Sequence, residues 1–464
     1  VGEIEMKTKW KMACMLLTIV SLLSGCFGEK KALEPLKEGN EKVKVMYSNK
    51  EDFYKDYGSL FTAAKHLNIE FDVISTVKGR GELEYEEIHK LIEKHQPDVL
   101  LLDEKLLASY AQEGKLYSLD EMIAEEKFDI AGYMPGVIDN LRARGNGTLY
   151  GLAPRFTVPV LCYNRDVFEE NHIELPRNKM SWQELFDLSK RFEGMGSGEN
   201  RVFGLDQPFW FLDNALQYIA SSFSLSMFDM KAEKLLLNSD GWKRAVTLTT
   251  DVIRSKTVSL PLVESKGEPT ALNDDPFFTG KAAMTIAEPW FIAYNNMDIG
   301  GKKLNWDMVT LPVNPGNPDE SPHVRLEEIY AISATSQNKR AAWEFIKFAN
   351  GVEMAKVFSR SVSGSLPTRG QFIKEFGGKS AEPFYMLKPS SQISFLWNRR
   401  DVPEEFNSSF TPLLTDALEA IIANKKTVDE ALAELEVKGQ DALVKARAAK
   451  KKEESSRTKA ATGS

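Results

Sequence analysis

The chain has 464 residues, enough for two sizeable domains of about 100–200 residues each. Apolar residues make up 42% and charged residues 27% of the chain, which is the balance of an ordinary globular protein. The formal net charge of −8 argues against nucleic acid as a partner, because such binding requires clustered basic surface.

The N-terminal residues have the order of a secretory signal. Three lysines at positions 7–11 precede an apolar stretch over 12–23, and the run Leu23-Ser24-Gly25-Cys26 follows. Small residues before a cysteine resemble a lipobox, which implies cleavage before Cys26 and lipidation of its sulfur. An ordinary signal peptide, or a membrane helix with a chance cysteine, is the alternative. We expect residues 1–25 to be the signal with an upstream extension, and residues 26–41 to be the lipidated cysteine and a flexible tether.

Cysteine usage fits this assignment. Cys14 lies inside the signal and Cys26 would carry lipid, so Cys162 is alone in the mature protein and no intramolecular disulfide is expected. Cys162 lies in the apolar run 160–163. We interpret it as a core residue rather than a nucleophile, because free cysteine is among the most buried residue types.

The body of the chain opens with alternating strands and helices. Apolar patterning predicts strands at 43–47, 70–74 and 99–102, with helices at 51–67 and 84–95 between them. This order predicts an α/β fold with a parallel sheet that is buried on both faces.

Polar side chains follow two of these strands. Ligands of such sheets bind beyond the carboxyl ends of the strands. Tyr47 ends the first strand and Asp103 and Glu104 follow the third, so these residues are the first site candidates. For Asp103 the cap of the next helix is an equal alternative.

Further along, local signals define helix ends. Ser181–Glu184 and Thr427–Glu430 have the pattern of capping boxes. Thr411-Pro412 is the predicted start of a helix with apolar residues at helical spacing. Residues 446–464 lack apolar periodicity, so we expect a disordered tail there.

The sequence has no recognisable catalytic or metal-binding motif. The nucleophile elbow, the zinc-protease motif and the phosphate-binding loop are missing, and the five histidines show no metal-ligand spacing with cysteine. Adjacent carboxylates, such as Glu327-Glu328, are interpreted as solvated surface rather than as a glycosidase pair. We therefore expect no enzyme activity, no cofactor and no metal.

Three tryptophans have polar neighbours. Trp210 precedes Asp213, Trp290 follows Glu288, and Trp397 precedes Asn398-Arg399-Arg400. An indole face can cover the apolar face of a pyranose while neighbouring polar groups bind its hydroxyls. The pattern predicts carbohydrate binding, with core packing as the alternative for each tryptophan.

Several segments occur in the order found in one family. The chain resembles the extracellular solute-binding proteins of ABC importers, family 1, which include maltose-binding-protein-like sugar-binding lipoproteins. The similarity covers roughly residues 43–445. It rests on the segments Pro97–Gly114, Leu149–Asp166, Pro176–Leu185, Phe278–Trp290, Tyr330–Ala349, Gly364–Arg369 and Ala417–Leu432.

The resemblance implies a two-lobed periplasmic-binding-protein-like fold of the class II type, with a hinge between the lobes. The N-terminal lobe would comprise residues 42–157 and 313–352, and the C-terminal lobe residues 158–312 and 353–445. Hinge strands are expected near Thr157-Val158 and Leu311-Pro312, and the ligand is expected between the lobes.

The resemblance also implies that Phe209, Trp210, Trp290 and Trp397 line the cleft. Two departures stand out: Leu102 occupies a position of a family tryptophan, and Glu288-Pro289 stands where glycine is frequent. Arg155, Arg325 and Arg399 could reach the cleft, so a charged or modified sugar is conceivable. The expected ligand-binding set is Tyr47, Asp103, Glu104, Arg155, Phe209, Trp210, Asp213, Glu288, Trp290, Arg325 and Trp397.

The expected function is that of a monomeric, lipid-anchored receptor on a Gram-positive cell surface. It would bind a carbohydrate, expected to be an oligosaccharide, and deliver it to ABC transporter permease subunits. The alternatives are the same fold binding a non-sugar solute such as iron or a polyamine, an exported enzyme such as a glycoside hydrolase, and a sensory receptor for a membrane kinase.

Overall fold

The computed structural model describes residues 35–36, 41–65, 68–78, 81–82, 85–207, 212–229, 231–260, 275–295, 298–299, 302–360, 362, 364–390 and 402–462. The predictions for Cys26, Phe209, Trp210, Trp397 and Arg399 lie outside these residues. In the described part of the chain, no helix is both long enough and apolar enough to cross a membrane.

The first sheet confirms the predicted alternation of strands and helices. Its strands lie in the order Ile69–Ser75, Glu41–Tyr47, Val99–Leu102, Ile329–Ser333, Leu116–Tyr117, and Gly151–Leu152 also pairs with Ile329–Ser333. The first three strands are parallel, whereas Ile329–Ser333 returns from late in the chain and runs antiparallel to Val99–Leu102. The sheet is therefore mixed. Its middle strand, Val99–Leu102, is a continuous apolar run, as expected for a strand that is covered on both faces.

A second sheet is built from the middle of the chain. Its strands lie in the order Val258–Ser259, Phe203–Asp206, Ala282–Ala287, Val160–Asn164, Trp306–Thr310. Val160–Asn164 is buried along its whole length and runs antiparallel to both of its neighbours. Cys162 is fully buried in this strand, and burial raises the pKa of its thiol. It is the core residue that the sequence predicts.

A small third sheet joins the other two and is called the linking sheet below. Its strands lie in the order Arg325–Glu327, Arg155–Thr157, Leu366–Pro367. Arg155–Thr157 leads into Val160–Asn164 of the second sheet, and Arg325–Glu327 is separated by one residue from Ile329–Ser333 of the first. The chain therefore passes between the two large sheets through this element. The boundaries of the lobes and the hinge positions stay predictions.

Helices cover the sheets, and their ends follow local signals. In the capping boxes, the Ser181 hydroxyl accepts from the Glu184 amide at 3.2 Å and the Thr427 hydroxyl accepts from the Glu430 amide at 3.2 Å, as predicted. The helices are Lys50–Phe53, Ser59–Lys65, Tyr85–His95, Glu104–Gln112, Asp120–Glu126, Val137–Arg144, Arg165–Glu170, Trp182–Lys190, Leu212–Ser222, Asp240–Arg254, Pro289–Asn295, Lys339–Ala349, Val352–Arg360, Glu382–Tyr385, Glu404–Ile422 and Val428–Thr462.

Short elements complete the described chain. A π-helical turn, Tyr54–Gly58, interrupts the helix predicted at 51–67. Gly198–Asn200 and Gly370–Phe372 are 3-10 turns. The remaining strands form two-stranded pairs: Val77–Lys78 with Gly81–Glu82, Asp298–Ile299 with Lys302–Lys303, Glu320–Ser321 with Lys388–Pro389, and Glu375–Phe376 with Lys379–Ser380.

Two helical predictions near the C-terminus need correction. The helix predicted to start at Thr411-Pro412 begins at Glu404 and carries Pro412 in its interior. Phe406 and Phe410 extend its buried stripe toward the N-terminus, so packing holds the first turns despite the proline. In place of the predicted disordered tail, the last helix continues to Thr462. Its Ala, Lys, Glu and Arg residues are strong helix formers, so the helix continues without an apolar stripe.

Candidate ligand-binding site

The carboxyl ends of strands from both large sheets meet the linking sheet. From the first sheet, the Tyr47 hydroxyl lies 3.0 Å from a Glu328 carboxylate oxygen, just after the linking-sheet strand Arg325–Glu327. From the second sheet, Glu288 follows Ala282–Ala287 and accepts a hydrogen bond from Arg325 at 2.9 Å. Side chains that end or follow separate strands are thus brought together at the carboxyl ends of the strands, which is where α/β sheets bind ligands.

Glu328 is the centre of the first cluster of contacts. Its carboxylate accepts hydrogen bonds from Tyr57 and from Arg155, whose Nε lies at 3.2 Å. The carboxylate is only 16% exposed and the Arg155 side chain only 20%. The sequence prediction that Glu327-Glu328 is a solvated surface pair is therefore wrong for Glu328, because the fold places Arg155 against it.

The backbone and the local helix geometry position this cluster. Glu328 is the single residue between Arg325–Glu327 and Ile329–Ser333, and it has a left-handed φ of +55°. The π-helical turn Tyr54–Gly58 carries Asp56, whose carboxylate lies 2.7 Å from the Tyr47 hydroxyl. Burial, with a further contribution from the Glu328 charge, raises the pKa of Tyr47 and of Tyr57. Both hydroxyls therefore stay protonated and act as donors.

Glu288 and Arg325 form the second cluster. One Glu288 oxygen accepts from Arg325 at 2.9 Å and the other accepts from the Thr157 hydroxyl at 3.0 Å. Glu288 is 20% exposed, whereas the Arg325 side chain is 54% exposed. Burial, together with the Glu288 charge, raises the pKa of nearby Tyr218 to about 12, so its hydroxyl also stays protonated.

Trp290 is an exposed aromatic residue that follows Glu288 closely in the chain. It lies in the first turn of helix Pro289–Asn295, two residues after Glu288, and is 44% exposed. A Cβ atom placed on Gly364 would lie 3.6 Å from the Trp290 Cβ, so the chain at Gly364 passes next to it. The alternative for this tryptophan is packing in the core, and its exposure shows that it is not buried there. An exposed indole can stack on the apolar face of a ring while polar groups elsewhere in the site form hydrogen bonds with hydroxyls.

The first-sheet candidates have structural partners. The Asp103 carboxylate accepts from the Leu106 amide at 2.7 Å and caps the helix Glu104–Gln112, the alternative considered from sequence. Glu104 pairs with Arg144 at 2.8 Å. Tyr47 is almost fully buried, and its contact with the cluster is made by its hydroxyl, which lies 3.0 Å from Glu328. The ligand roles of these residues stay predictions.

Asp213 is a predicted ligand residue that lies in the described part of the chain. It lies, partly buried, in the first turn of helix Leu212–Ser222. The segment immediately before it carries Phe209 and Trp210 and lies outside the described residues, as does Trp397. The predicted ligand contacts of these four residues stay predictions.

His323 packs against Tyr218, the tyrosine near the second cluster. Its ring stacks on Tyr218 with centroids 4.5 Å apart, and its Nε2 lies 3.2 Å from the Tyr218 carbonyl oxygen. Burial lowers the pKa of His323 to about 3, so the imidazole is neutral. The described part of the chain contains no group of three or more His, Cys, Asp or Glu residues that could hold a metal ion.

Sequence reasoning missed Glu328 and Tyr57 as site residues. Tyr57 lies within the helix predicted at 51–67, and its contact with Glu328 joins residues 271 positions apart. One usable signal exists for Glu328, since a carboxylate directly before a mostly apolar strand is placed at the end of a sheet.

Comparison with known proteins agrees with this architecture. The model of the family described as bacterial extracellular solute-binding protein matches residues 47–356, more than half of the chain. A maltooligosaccharide ABC transporter solute-binding lipoprotein of Streptococcus pneumoniae (strain R6) is 23% identical over 437 residues, covering 90% of this chain and 97% of the relative. An sn-glycerol-3-phosphate-binding periplasmic protein of Brucella abortus is 19% identical, covering 72% and 77%.

A solved structure shares the fold. The sugar-binding protein MalE of Xanthomonas citri superposes with a TM-score of 0.63 at 20% identity, covering 88% of this chain and 98% of that chain. The two large sheets and the linking sheet thus form the two-lobed α/β fold that the resemblance implies. Because the family model spans most of the described body, this chain belongs to the bacterial extracellular solute-binding protein family.

Proposed function

We propose that this protein is the substrate-binding component of an ABC importer and that it binds a carbohydrate, specifically an oligosaccharide. The observation that carries the proposal is the exposed Trp290, two residues after Glu288, whose carboxylate pairs with Arg325 of the linking sheet. The name of the streptococcal relative, a maltooligosaccharide-binding lipoprotein, supports the same class of ligand.

The mechanism is binding and closure without bond chemistry. The Trp290 ring covers the C–H face of one sugar ring, and hydroxyls exchange water for hydrogen bonds with exposed polar atoms around Arg325. The chain segments of the linking sheet carry the movement of one lobe toward the other. Closure buries the solute, and the closed form is the one that the permease recognises.

The location follows from the N-terminal segment. Cys26 carries the lipid, and the residues up to 41 are the tether that holds the two lobes above the membrane of a Gram-positive cell. The monomeric receptor stays beside its permease because the anchor prevents loss by diffusion. The description of the streptococcal relative as a lipoprotein supports this arrangement.

A non-sugar solute is the second candidate. The Brucella relative is named for sn-glycerol 3-phosphate, and its similarity covers 72% of this chain and 77% of the relative. Arginine is the residue that best recognises phosphate, so Arg155 and Arg325 are the groups on which this candidate depends.

Calorimetric titration and tryptophan fluorescence of the purified protein with a panel of oligosaccharides test the proposal. We expect saturable binding, and we expect Trp290→Ala to weaken it by about 10–100-fold, the equivalent of roughly 1.5–3 kcal/mol for a stacked ring. Trp290→Phe should retain part of the affinity. Leu236→Ala, which removes a similarly exposed apolar side chain elsewhere, is the matched control. Binding of only a non-carbohydrate solute would refute the assignment.

A further inference from the structure

Each arginine of the linking sheet already has a carboxylate partner. Arg155 is bound to Glu328 through its Nε at 3.2 Å and also through Nη2. Arg325 is bound to Glu288 at 2.9 Å. The guanidinium groups that an anionic solute would use are thus neutralised within the protein.

The other charged groups around the linking sheet do not leave an excess of positive charge. Glu327 lies opposite Arg155 in the register of the sheet, and its side chain is partly buried. Glu104 is paired with Arg144. Among the described residues named at this site, carboxylates outnumber guanidinium groups: Asp56, Glu104, Glu288, Glu327 and Glu328 stand against Arg144, Arg155 and Arg325.

Arg325 is the cation that a solute can reach, because it is the most exposed of these arginines. A phosphate group binds arginine best through two parallel hydrogen bonds. Arg325 binds Glu288 through Nη2 at 2.9 Å, so its other N–H groups could reach a phosphate only with the Glu288 carboxylate close by, and the second oxygen of that carboxylate is held by the Thr157 hydroxyl at 3.0 Å. The mostly buried carboxylate would then repel the incoming anion and offset the attraction of the guanidinium group.

We propose that the Glu288–Arg325 pair is a specificity device that excludes anionic solutes and admits neutral saccharides. This inference rests on the proposed carbohydrate-binding function and narrows it. A neutral hydroxyl can accept from the remaining Arg325 N–H groups or donate to Glu288 while the pair stays intact, because neither partner loses its charge complement. A phosphorylated solute, such as the one named for the Brucella relative, would bring its negative charge next to the Glu288 carboxylate.

The test compares wild type with Glu288→Gln, which keeps the side-chain volume and removes the negative charge. Inorganic phosphate, sn-glycerol 3-phosphate and maltotriose are titrated separately by calorimetry at constant ionic strength. We expect Glu288→Gln to bind the two phosphate probes at least about tenfold more tightly than wild type, because a freed guanidinium gains a charge-assisted partner. The double variant Glu288→Gln/Arg325→Gln should lose this gain. Glu419→Gln makes the same change in net charge on an exposed helix position and should gain nothing.

The outcomes separate this inference from the proposed function. No gain in Glu288→Gln, or an equal gain in the double variant, overturns the inference. Wild type that binds sn-glycerol 3-phosphate as tightly as maltotriose also overturns it. Wild type that binds no saccharide refutes the carbohydrate function, whereas a gain of phosphate binding in Glu288→Gln would still support anion exclusion. If circular dichroism shows that Glu288→Gln does not fold, Glu288→Asp takes its place, because it moves the carboxylate away by one methylene. A smaller gain in phosphate binding is then expected.

Discussion

Removal of the Glu328 carboxylate is expected to destabilise the junction between the first sheet and the linking sheet. Glu328 accepts from Tyr47 at 3.0 Å, from Arg155 at 3.2 Å, and from Tyr57. In Glu328→Ala the Arg155 and Tyr57 donors lose this acceptor, whereas the Tyr47 hydroxyl can still donate to Asp56 at 2.7 Å. The left-handed backbone at this position is equally unfavourable for alanine and glutamate, so backbone strain cancels in the comparison.

The expected magnitude follows from burial and charge. Removing one partner of a buried ion pair costs about 3–5 kcal/mol. The pair here is about one-fifth exposed, so the lower end applies and we expect Glu328→Ala to lower the free energy of unfolding by about 3 kcal/mol. Glu328→Gln retains an acceptor oxygen for a tyrosine but not the charge, and we expect a loss of about 1–2 kcal/mol.

Equilibrium urea denaturation followed by circular dichroism measures both losses. Glu419→Ala on the exposed face of helix Glu404–Ile422 is the control, and it should lie within about 0.5 kcal/mol of wild type. A Glu328→Ala variant within 1 kcal/mol of wild type, at an unchanged denaturant slope, would refute the role of this cluster.

Three further predictions concern separate parts of the molecule. His323 has a pKa of about 3 in the folded protein and about 6.5 in the unfolded chain, so the unfolded chain binds a proton at this residue first as the pH falls. This residue should therefore lower the free energy of unfolding below pH 6.5 by up to about 1.4 kcal/mol per pH unit. Urea denaturation of His323→Gln at several pH values should lack this part of the pH dependence. Pro412→Ala should raise the free energy of unfolding by about 1–3 kcal/mol, because it restores a backbone amide that can donate to the Ser408 carbonyl inside helix Glu404–Ile422. An unchanged or lower midpoint of urea denaturation would contradict this. Cys26→Ser should move the protein from the membrane fraction to the medium in a Gram-positive host, and retention in the membrane would disprove lipid anchoring.

The parts of the fold that can be predicted are those that depend on short-range patterns in the sequence. Val99–Leu102 is a continuous apolar run bounded by Pro97-Asp98 and Asp103, and its observed bounds match the predicted ones. The box Ser181–Glu184 fixes a helix start through contacts three residues apart. Such signals depend on neighbours in the chain, so they can be read without knowing the tertiary structure.

The site depends on contacts that local sequence does not contain. Arg155 and Glu328 meet although 173 positions separate them, because strands Arg155–Thr157 and Arg325–Glu327 pair in the linking sheet. Only the fold shows that Glu328 is buried and that Arg325 is already paired. Trp290 is singled out by local features, its polar neighbours and its position after an apolar strand, and it is exposed rather than packed in the core; its contact with ligand stays a prediction.

A structure of the complex with a bound oligosaccharide tests the central claim most directly. The account predicts a saccharide ring stacked on Trp290, with hydroxyls at hydrogen-bonding distance from the Glu288–Arg325 pair and the pair itself intact. Solute bound away from the linking sheet, for example in the surface crevice lined by Tyr133 and Tyr385, or an Arg325 side chain withdrawn from Glu288, would contradict it.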